Sequence, residues 1–484
     1  MRQRSVGWGK SNAGRLLIAL VVSAGSVATT IPSSVSARSA WGAVSSGPTL
    51  FVPTQQFADV GSTQLKTKTS VTPVLTGTNR AGAPIATGSG VNRWTDAIAI
   101  APDGRTAYAF GAEADGLVPI DVATGTAGSP ITLPIRNDMV QYRGDMVAIS
   151  PDGTTAYVAG GEDDDVIPVN LATRTAGRPI TPYSGNPTPF VDVEGVAITP
   201  DGKSLLVTKS DRTITTVAIS TGRVVRTAKV LGFPDAIVIA PDGQTAYVVA
   251  ANTVIPFAVA TLRHSAPIQI HRLITDIAIA PDGRNAYVIS LENQLTVTPI
   301  NLATNTAGQP IKTTAIVDPL SIVVSPDGAT IYVETSGSDT RKWNSVMAFD
   351  RSTKRLRTTT SLDSAPNFGF GQFSDQMAIT PDQAPVAVLS VTPGAVGSAT
   401  KFSAAGSAGP TSPIVSYRWN FGDGTTATTT APTTTHVYRS AKTYSASVIE
   451  TDKAGTSTQK VFTGQTMSRN GGPSATATAA VVIS

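Results

Sequence analysis

Apolar residues fall along this chain in short runs, each pair of runs split by the same polar turn. Residues 97–110 read AIAIAPDGRTAYAF, two strand-length apolar segments around PDG. The phrase returns as MVAISPDGTTAYVA, GVAITPDGKSLLVT, AIVIAPDGQTAYVV, IAIAPDGRNAYVI and SIVVSPDGATIYVE, and last as QMAITPDQAPVAVL. The turn prolines are Pro102, Pro151, Pro200, Pro241, Pro281, Pro326 and Pro381, 40 to 55 residues apart. A period of that length marks a repeat architecture. Proline presets φ at the second position of a type I turn and glycine leaves its last position open, so PDG predicts a tight turn between two strands.

A second apolar pattern follows each of the first. VTPVLTGTNRAGAPI, LVPIDVATGTAGSPI, VIPVNLATRTAGRPI and VTPINLATNTAGQPI predict outer hairpins, with looser copies in TVAISTGRVVRTAKV, VIPFAVATLRHSAPI and VMAFDRSTKRLRTTT. Four strands per unit, seven units and no helical periodicity predict an all-β, seven-bladed β-propeller. The ends of the repeat argue against an open solenoid. The first unit starts at its second strand, TLFV at Thr49–Val52, and the last has an inner strand, DQMAIT at Asp375–Thr380, with no outer ones. Joining them completes one blade and removes the exposed sheet edges.

The wording PDG…AYV followed by VTPINLATNTAG resembles the YVTN family of seven-bladed propellers over roughly residues 49–382. That resemblance implies an exported or cell-surface protein. Similar discs also serve as lactonases and lyases, so the fold leaves activity open. Beyond Asp382 the pattern changes. YRWNFGDGTTATTT and THVYRSAKTYSASVIETDKAG resemble a PKD domain, on Trp419, Phe421, Gly422, Asp423, Gly424, Tyr438, Tyr444 and Asp452. Asn420 stands where that family carries an acidic residue. The implied fold is an immunoglobulin-like β-sandwich over 384–484, with Trp419 in its core and Gly422–Gly424 at a hairpin turn. The stretch VFTGQTMSRNGGPSA, residues 461–475, reads as a polar loop before a last strand.

Composition adds a destination. Arg2, Arg4, Lys10 and Arg15 precede the apolar run LLIALVVSAGSVA, and VSA ending at Ala37 fits a small-residue cleavage site, with SVA ending at Ala28 as rival. The segmentation is therefore a signal peptide at 1–37, a linker at 38–48, the propeller at 49–382 and the sandwich at 384–484. Removing the leader takes four basic residues and no acidic one, so the 37 Lys+Arg fall to 33 against 33 Asp+Glu. A near-neutral chain loses the electrostatic basis for binding nucleic acid. No later apolar run is long enough to span a bilayer. There is no cysteine, so the core alone must stabilise a secreted chain. The chain reads as a monomer.

Candidate chemistry is sparse. His264, His271 and His436 are the only histidines, which excludes a His-rich metal site, and without cysteine there is no thiol nucleophile. The PDG aspartates are explained as turn residues. Glu162-Asp163-Asp164-Asp165 offers carboxylates for calcium, or a solvated hairpin tip. A further series begins the inner strands: Asp96, Asp145, Glu194, Asp235 and Asp375 stand six residues before the turn proline, Asp276 five and Asp318 eight. Two residues upstream come Trp94, Arg143, Asp192, Phe233, Leu273, Asp318 and Phe373. In a propeller these ring one mouth of the central channel. Aromatic faces beside charged groups suit a polar ligand, or calcium among the carboxylates; the alternative is acids that hydrogen-bond backbone between blades. The candidate ligand residues are Trp94, Asp96, Arg143, Asp145, Glu194, Phe233, Asp235, Asp276, Phe373 and Asp375. The expectation is a non-enzymatic binding protein, secreted or at the cell surface, that contacts glycan or protein. The alternative is a lactonase- or lyase-like enzyme using the carboxylate-lined mouth.

Overall fold

The computed structural model describes residues 47–484, apart from 60–65, 92–96, 112–115, 135–146, 161–164, 184–190, 292–293, 316, 338–343 and 363–375. The expected leader and most of the linker lie outside the described residues. The described residues belong to one compact unit.

The described residues build seven antiparallel sheets in a ring, the blades of a propeller. Blade 1 joins Ala378–Ile379 to Thr49–Asp59, Lys66–Leu75 and Arg80–Ala81. Leu50 and Phe51 pair with Ile379 and Ala378, and Thr380 N donates to Thr49 O at 2.9 Å. Blades 2 to 7 begin on Ala97–Ile100, Val147–Ile149, Val193–Ile198, Pro234–Ile239, Leu273–Ile279 and Val317–Val324. These inner strands are buried on both sides along much of their length, because each lies between two neighbouring blades.

The PDG turns repeat to the atom. Gly104, Gly153, Gly202, Gly243, Gly283 and Gly328 have φ between 66° and 75°. Each aspartate Oδ1 accepts the backbone N–H two residues on, from Arg105 N to Asp103 at 2.9 Å through Ala329 N to Asp327 at 2.9 Å. Such a side-chain turn accounts for the recurring aspartate without any catalytic role. The outer strands are shorter than the pattern suggests. Where TAG occurs they shrink to two residues, as in Thr126–Ala127, Thr175–Ala176 and Thr306–Ala307. In those blades the next glycine donates to a proline carbonyl on the third strand, Gly128 N to Pro119 O at 2.7 Å. Full outer strands, Arg223–Lys229 and Arg355–Ser361, occur in blades without that motif.

After the ring the chain folds as two facing sheets. Ser390–Thr392, Ala399–Ser403 and Thr433–Val437 form one; Thr426–Thr429, Ile414–Asn420, Thr443–Asp452 and Thr476–Val482 form the other. Trp419, Phe402, Phe421, Tyr438 and Val448 fill the space between them. Buried polar ends find partners: Trp419 Nε1 donates to Thr429 Oγ1 at 2.9 Å, and Tyr438 Oη to Phe421 O at 2.8 Å. Asn420 Oδ1 accepts the Gly422 N–H at 2.9 Å, and Gly422 and Gly424 take φ of 81° and 92° in the hairpin turn.

Residues 461–475 differ from the expected loop. Lys460–Phe462 and Met467–Asn470 are the arms of a hairpin inserted before the last sandwich strand, with a 3-10 turn at Pro473–Ala475. Its second arm pairs in parallel with Asp382–Gln383, where the chain leaves the ring. Polarity misled the reading because the turn TGQT and the second arm MSRN carry no apolar run, and the first arm has only Val461 and Phe462. At the root of the hairpin, Asp382 Oδ1 accepts from Thr411 Oγ1 and Ser412 Oγ, both at 2.7 Å. Burial pushes the Asp452 carboxyl up, and the neighbouring Asp382 carboxylate adds to the rise.

Candidate functional site

Of the candidate residues, Trp94, Asp96, Arg143, Asp145, Phe373 and Asp375 lie outside the described residues. Glu194, Phe233, Asp235 and Asp276 are described. They sit where the inner strands begin, on the face opposite the PDG turns. The sequence did not reveal that these strands are bulged there. Register shifts fall between Val193 and Gly195, Pro234 and Ile237, Ile274 and Asp276, and Pro319 and Ile322. A bulge re-aims the side chains on either side of it.

Asp276 is directed between blades. Its Oδ1 accepts from Ile277 N at 2.7 Å, and its Oδ2 accepts from Ile322 N at 2.9 Å and Ser321 Oγ at 3.2 Å on blade 7. Ser321 Oγ in turn accepts from Met377 N at 3.2 Å, carrying the chain on to blade 1. Burial outweighs the two backbone donors and pushes the Asp276 carboxyl up to about 6. With both oxygens engaged, this aspartate joins blades 6, 7 and 1, as the interblade alternative describes. Its spacing of five residues, rather than six, was the visible signal that it stands apart from the other acids.

Phe233 is 57% exposed at the channel rim, and the guanidinium of Arg212 lies 4.1 Å from its ring centre. Leu231, two residues before Phe233, is exposed too, and so is Leu273 at the start of the blade 6 inner strand, 53% and 48%. An exposed aromatic ring with a cation on one face can offer a polar ligand stacking on the other face and charge beside it. Arg212 was missed because it sits in a hairpin turn between the second and third strands of blade 4. Lys209 was missed too; it is buried, and its ammonium donates to Pro182 O at 3.0 Å.

Elsewhere the polar candidates are local. Glu162–Asp164 lie outside the described residues, while Asp165 is buried, 8% exposed, rather than solvated at a tip. His271 is exposed with φ of 64°, and His436 Nε2 lies 2.7 Å from Asp423 Oδ2 in the sandwich. Among the described residues no three His, Cys, Asp or Glu side chains converge as a metal site. The acids Asp96, Asp145 and Asp375, on which a calcium site depends, are outside that set.

The channel itself is occupied from the turn face by the inserted hairpin. Phe462 and Met467 join the core that holds Val196, Val238, Ala240 and Ile279. Ile239 N donates to Thr463 O at 3.1 Å and Ile198 N to Gly464 O at 2.6 Å. Three polar side chains brace the hairpin and its partner strand against proline carbonyls of the turns. Gln383 Nε2 reaches Pro102 O at 3.0 Å, Lys460 Nζ reaches Pro151 O at 3.1 Å, and Arg469 Nε reaches Pro326 O at 2.7 Å.

Residues 382–466 match the PKD domain family. That match ends in the hairpin turn, so the second arm and the last sandwich strand lie beyond it. An 81-residue stretch is 42% identical to a microbial collagenase of Vibrio alginolyticus, covering 16% of this chain. The chain spans only 10% of the length of that curated relative. Among solved structures, hydrazine synthase of Kuenenia stuttgartiensis superposes with a TM-score of 0.40 at 18% identity, over 56% of this chain and 76% of that one. A superposition that loose carries no argument. Among the described residues no helix is long and apolar enough to cross a membrane.

Proposed function

We propose that the chain is an exported binding protein that works outside the cell or at its surface without catalysis, holding glycan through the open propeller face. One observation carries this reading. The axial channel, where a hydrolytic propeller would gather a metal and its water, is filled by Phe462, Gly464 and Met467 of the C-terminal hairpin. The opposite rim keeps the exposed Phe233–Arg212 platform. Export is supported by the basic-then-apolar leader and by the PKD match. The similarity to a microbial collagenase, a protein named for acting on collagen, agrees with an extracellular setting.

The test is co-sedimentation of the chain from residue 38 onward with purified cell wall. Wild type should pellet, while Phe233→Ala and Arg212→Ala should stay in solution with unchanged melting. Pelleting by both variants would transfer the ligand to the sandwich. A wild type that never pellets would end the glycan reading in favour of a protein ligand.

A further inference from the structure

From the third strand outward, blades 3, 4 and 5 are residues 166–191, 213–234 and 253–275. These stretches hold seven Lys and Arg residues and no Asp or Glu. Without its leader the chain is near neutral, so this sector of the disc concentrates positive charge. Arg178, Arg223, Arg226 and Arg263 are exposed there, on the outer wall. Contacts between blades bring them into one band. A Cβ on Gly222, beside Arg223, would lie 3.7 Å from Ile180 Cγ1, two residues beyond Arg178. Arg226 donates to the carbonyl oxygen of Ala260, three residues before Arg263. Arg223 and Arg226 share the outer strand of blade 4, where about 3.3 Å per residue sets them about 10 Å apart. That spacing matches the Debye length at about 0.1 M salt, so their fields add.

Basic residues also blunt exposed edge strands, but that role does not account for the band. Blade 7 has the other full outer strand, and there Arg357 is paired with Asp350 at 2.6 Å, as Arg351 is with Asp282 at 2.6 Å. Among the described residues none of the four arginines of the band forms an ion pair. Arg178 and Arg263 belong to blades whose outer strands have only two residues. Nor does the repeat require Arg178. Ala83, Ser129 and Gln309 hold its place in AGAPI, AGSPI and AGQPI of blades 1, 2 and 6.

We infer that the outer wall of blades 3–5 is a second binding surface, separate from the Phe233 rim, and that a polyanionic polysaccharide lies along it. A polymer with an anionic group on successive units releases counterions at each arginine it meets. Guanidinium forks pair with carboxylate or phosphate through two hydrogen bonds at once. Surfaces for single-stranded nucleic acid interleave aromatic rings on which bases stack. The strand Arg223–Lys229 has none, and its exposed apolar residue is Val225. Charge without stacking suits sugars rather than bases.

The probe is polygalacturonate, with neutral dextran and duplex DNA beside it, titrated into the chain from residue 38 onward at about 50 mM and about 200 mM salt. Polygalacturonate should bind, and its affinity should fall at least about tenfold between the two salts. Arg178→Gln combined with Arg223→Gln and Arg263→Gln should weaken binding by about tenfold with unchanged melting. Arg105→Gln with Lys203→Gln, two exposed cations of the turn face, should leave it unchanged. Phe233→Ala should bind polygalacturonate as wild type does, which keeps this result distinct from cell-wall binding at the rim. No binding at the lower salt, or full binding by the triple variant, would overturn the surface. Dextran bound as tightly as polygalacturonate would overturn its dependence on charge. Tighter binding of DNA would overturn the polysaccharide in favour of nucleic acid, and loss of binding in Phe233→Ala would move the polymer to the rim.

Discussion

Arg469 Nε donates to the carbonyl oxygen of Pro326 at 2.7 Å across 143 residues of sequence, and it fills the one gap in a ring of turn contacts. At six blades the turn glycine lies against the turn proline of the blade before it: a Cβ placed on Gly153 would be 3.3 Å from Pro102, on Gly243 3.3 Å from Pro200, and on Gly283 3.6 Å from Pro241. Gly104 meets Pro381 in the same way and closes the circle. The turn at Pro381 reads Pro-Asp-Gln, so Pro326 has no glycine against it. The guanidinium arrives there from the C-terminal domain instead.

Arg469→Ala should therefore destabilise the disc itself, by about 1.5–3 kcal/mol, the range for a hydrogen bond to a charged group. Urea unfolding followed by a probe in blade 7 is the measurement. Arg469→Lys should recover only part, because an ammonium lacks the planar fork that reaches both Pro326 and the residues around Gly455. A loss confined to the sandwich transition would refute the bracing role.

Gly243→Val tests the turns. Gly243 has φ of 71° and sits tightly against Pro200. A β-branched residue there combines backbone strain with a close contact, for an expected loss of about 1–3 kcal/mol. An unchanged melting temperature would mean the turn relaxes freely.

The pH dependence of stability should carry the mark of Asp276. Burial holds its carboxyl at about 6 in the folded chain, above the roughly 3.9 of an unfolded aspartate. The folded state then binds the proton more tightly. The stabilisation is fully present below about pH 4 and is lost as pH climbs through about 6. Asp276→Asn retains an acceptor for blade 7 and cannot ionise, so its stability should vary less between pH 4 and 7. The difference is on the order of 3 kcal/mol at most, and smaller where solvent reaches the residue. Parallel profiles for the two proteins would contradict the assignment.

Gly464→Val should drive the hairpin out of the channel. A Cβ there would stand 2.8 Å from Ile239 N, at a φ of 90°. The amides of Ile198 and Ile239, which donate to the hairpin, should exchange with deuterium far faster. The loss of stability should be about 2–4 kcal/mol, because Phe462 and Met467 leave the core. Protected amides would show that the hairpin accommodates the side chain.

The blades, their number and the way the ring closes were legible because turn chemistry and strand alternation are local and recur. Residues such as Asp103 and Gly104 need only their own neighbours to fix their conformation. The plug was illegible for the converse reason. Nothing within Thr463–Thr466 specifies a partner; the fit is set by Ile198 and Ile239, more than 200 residues earlier. The candidate site was legible in part. Phe233 stands out as an aromatic residue at a strand start, but Arg212 over its ring comes from another part of the chain. Asp276 shows the limit of a spacing argument, since a one-residue offset at a bulge turns a mouth residue into a link between blades.

The pairing of Thr49 with Thr380 spans 331 residues, and the hairpin that braces the ring is made later still. During synthesis the first strand of the disc must wait, unpaired on one edge, while six further blades assemble behind it. A bare edge is a template for pairing with another chain. Ribosome stalling before Ala378 leaves that edge without a partner. Quality control for this protein is thus concentrated in its last-made third, and a chain cut short there is expected to aggregate rather than to survive as a smaller disc.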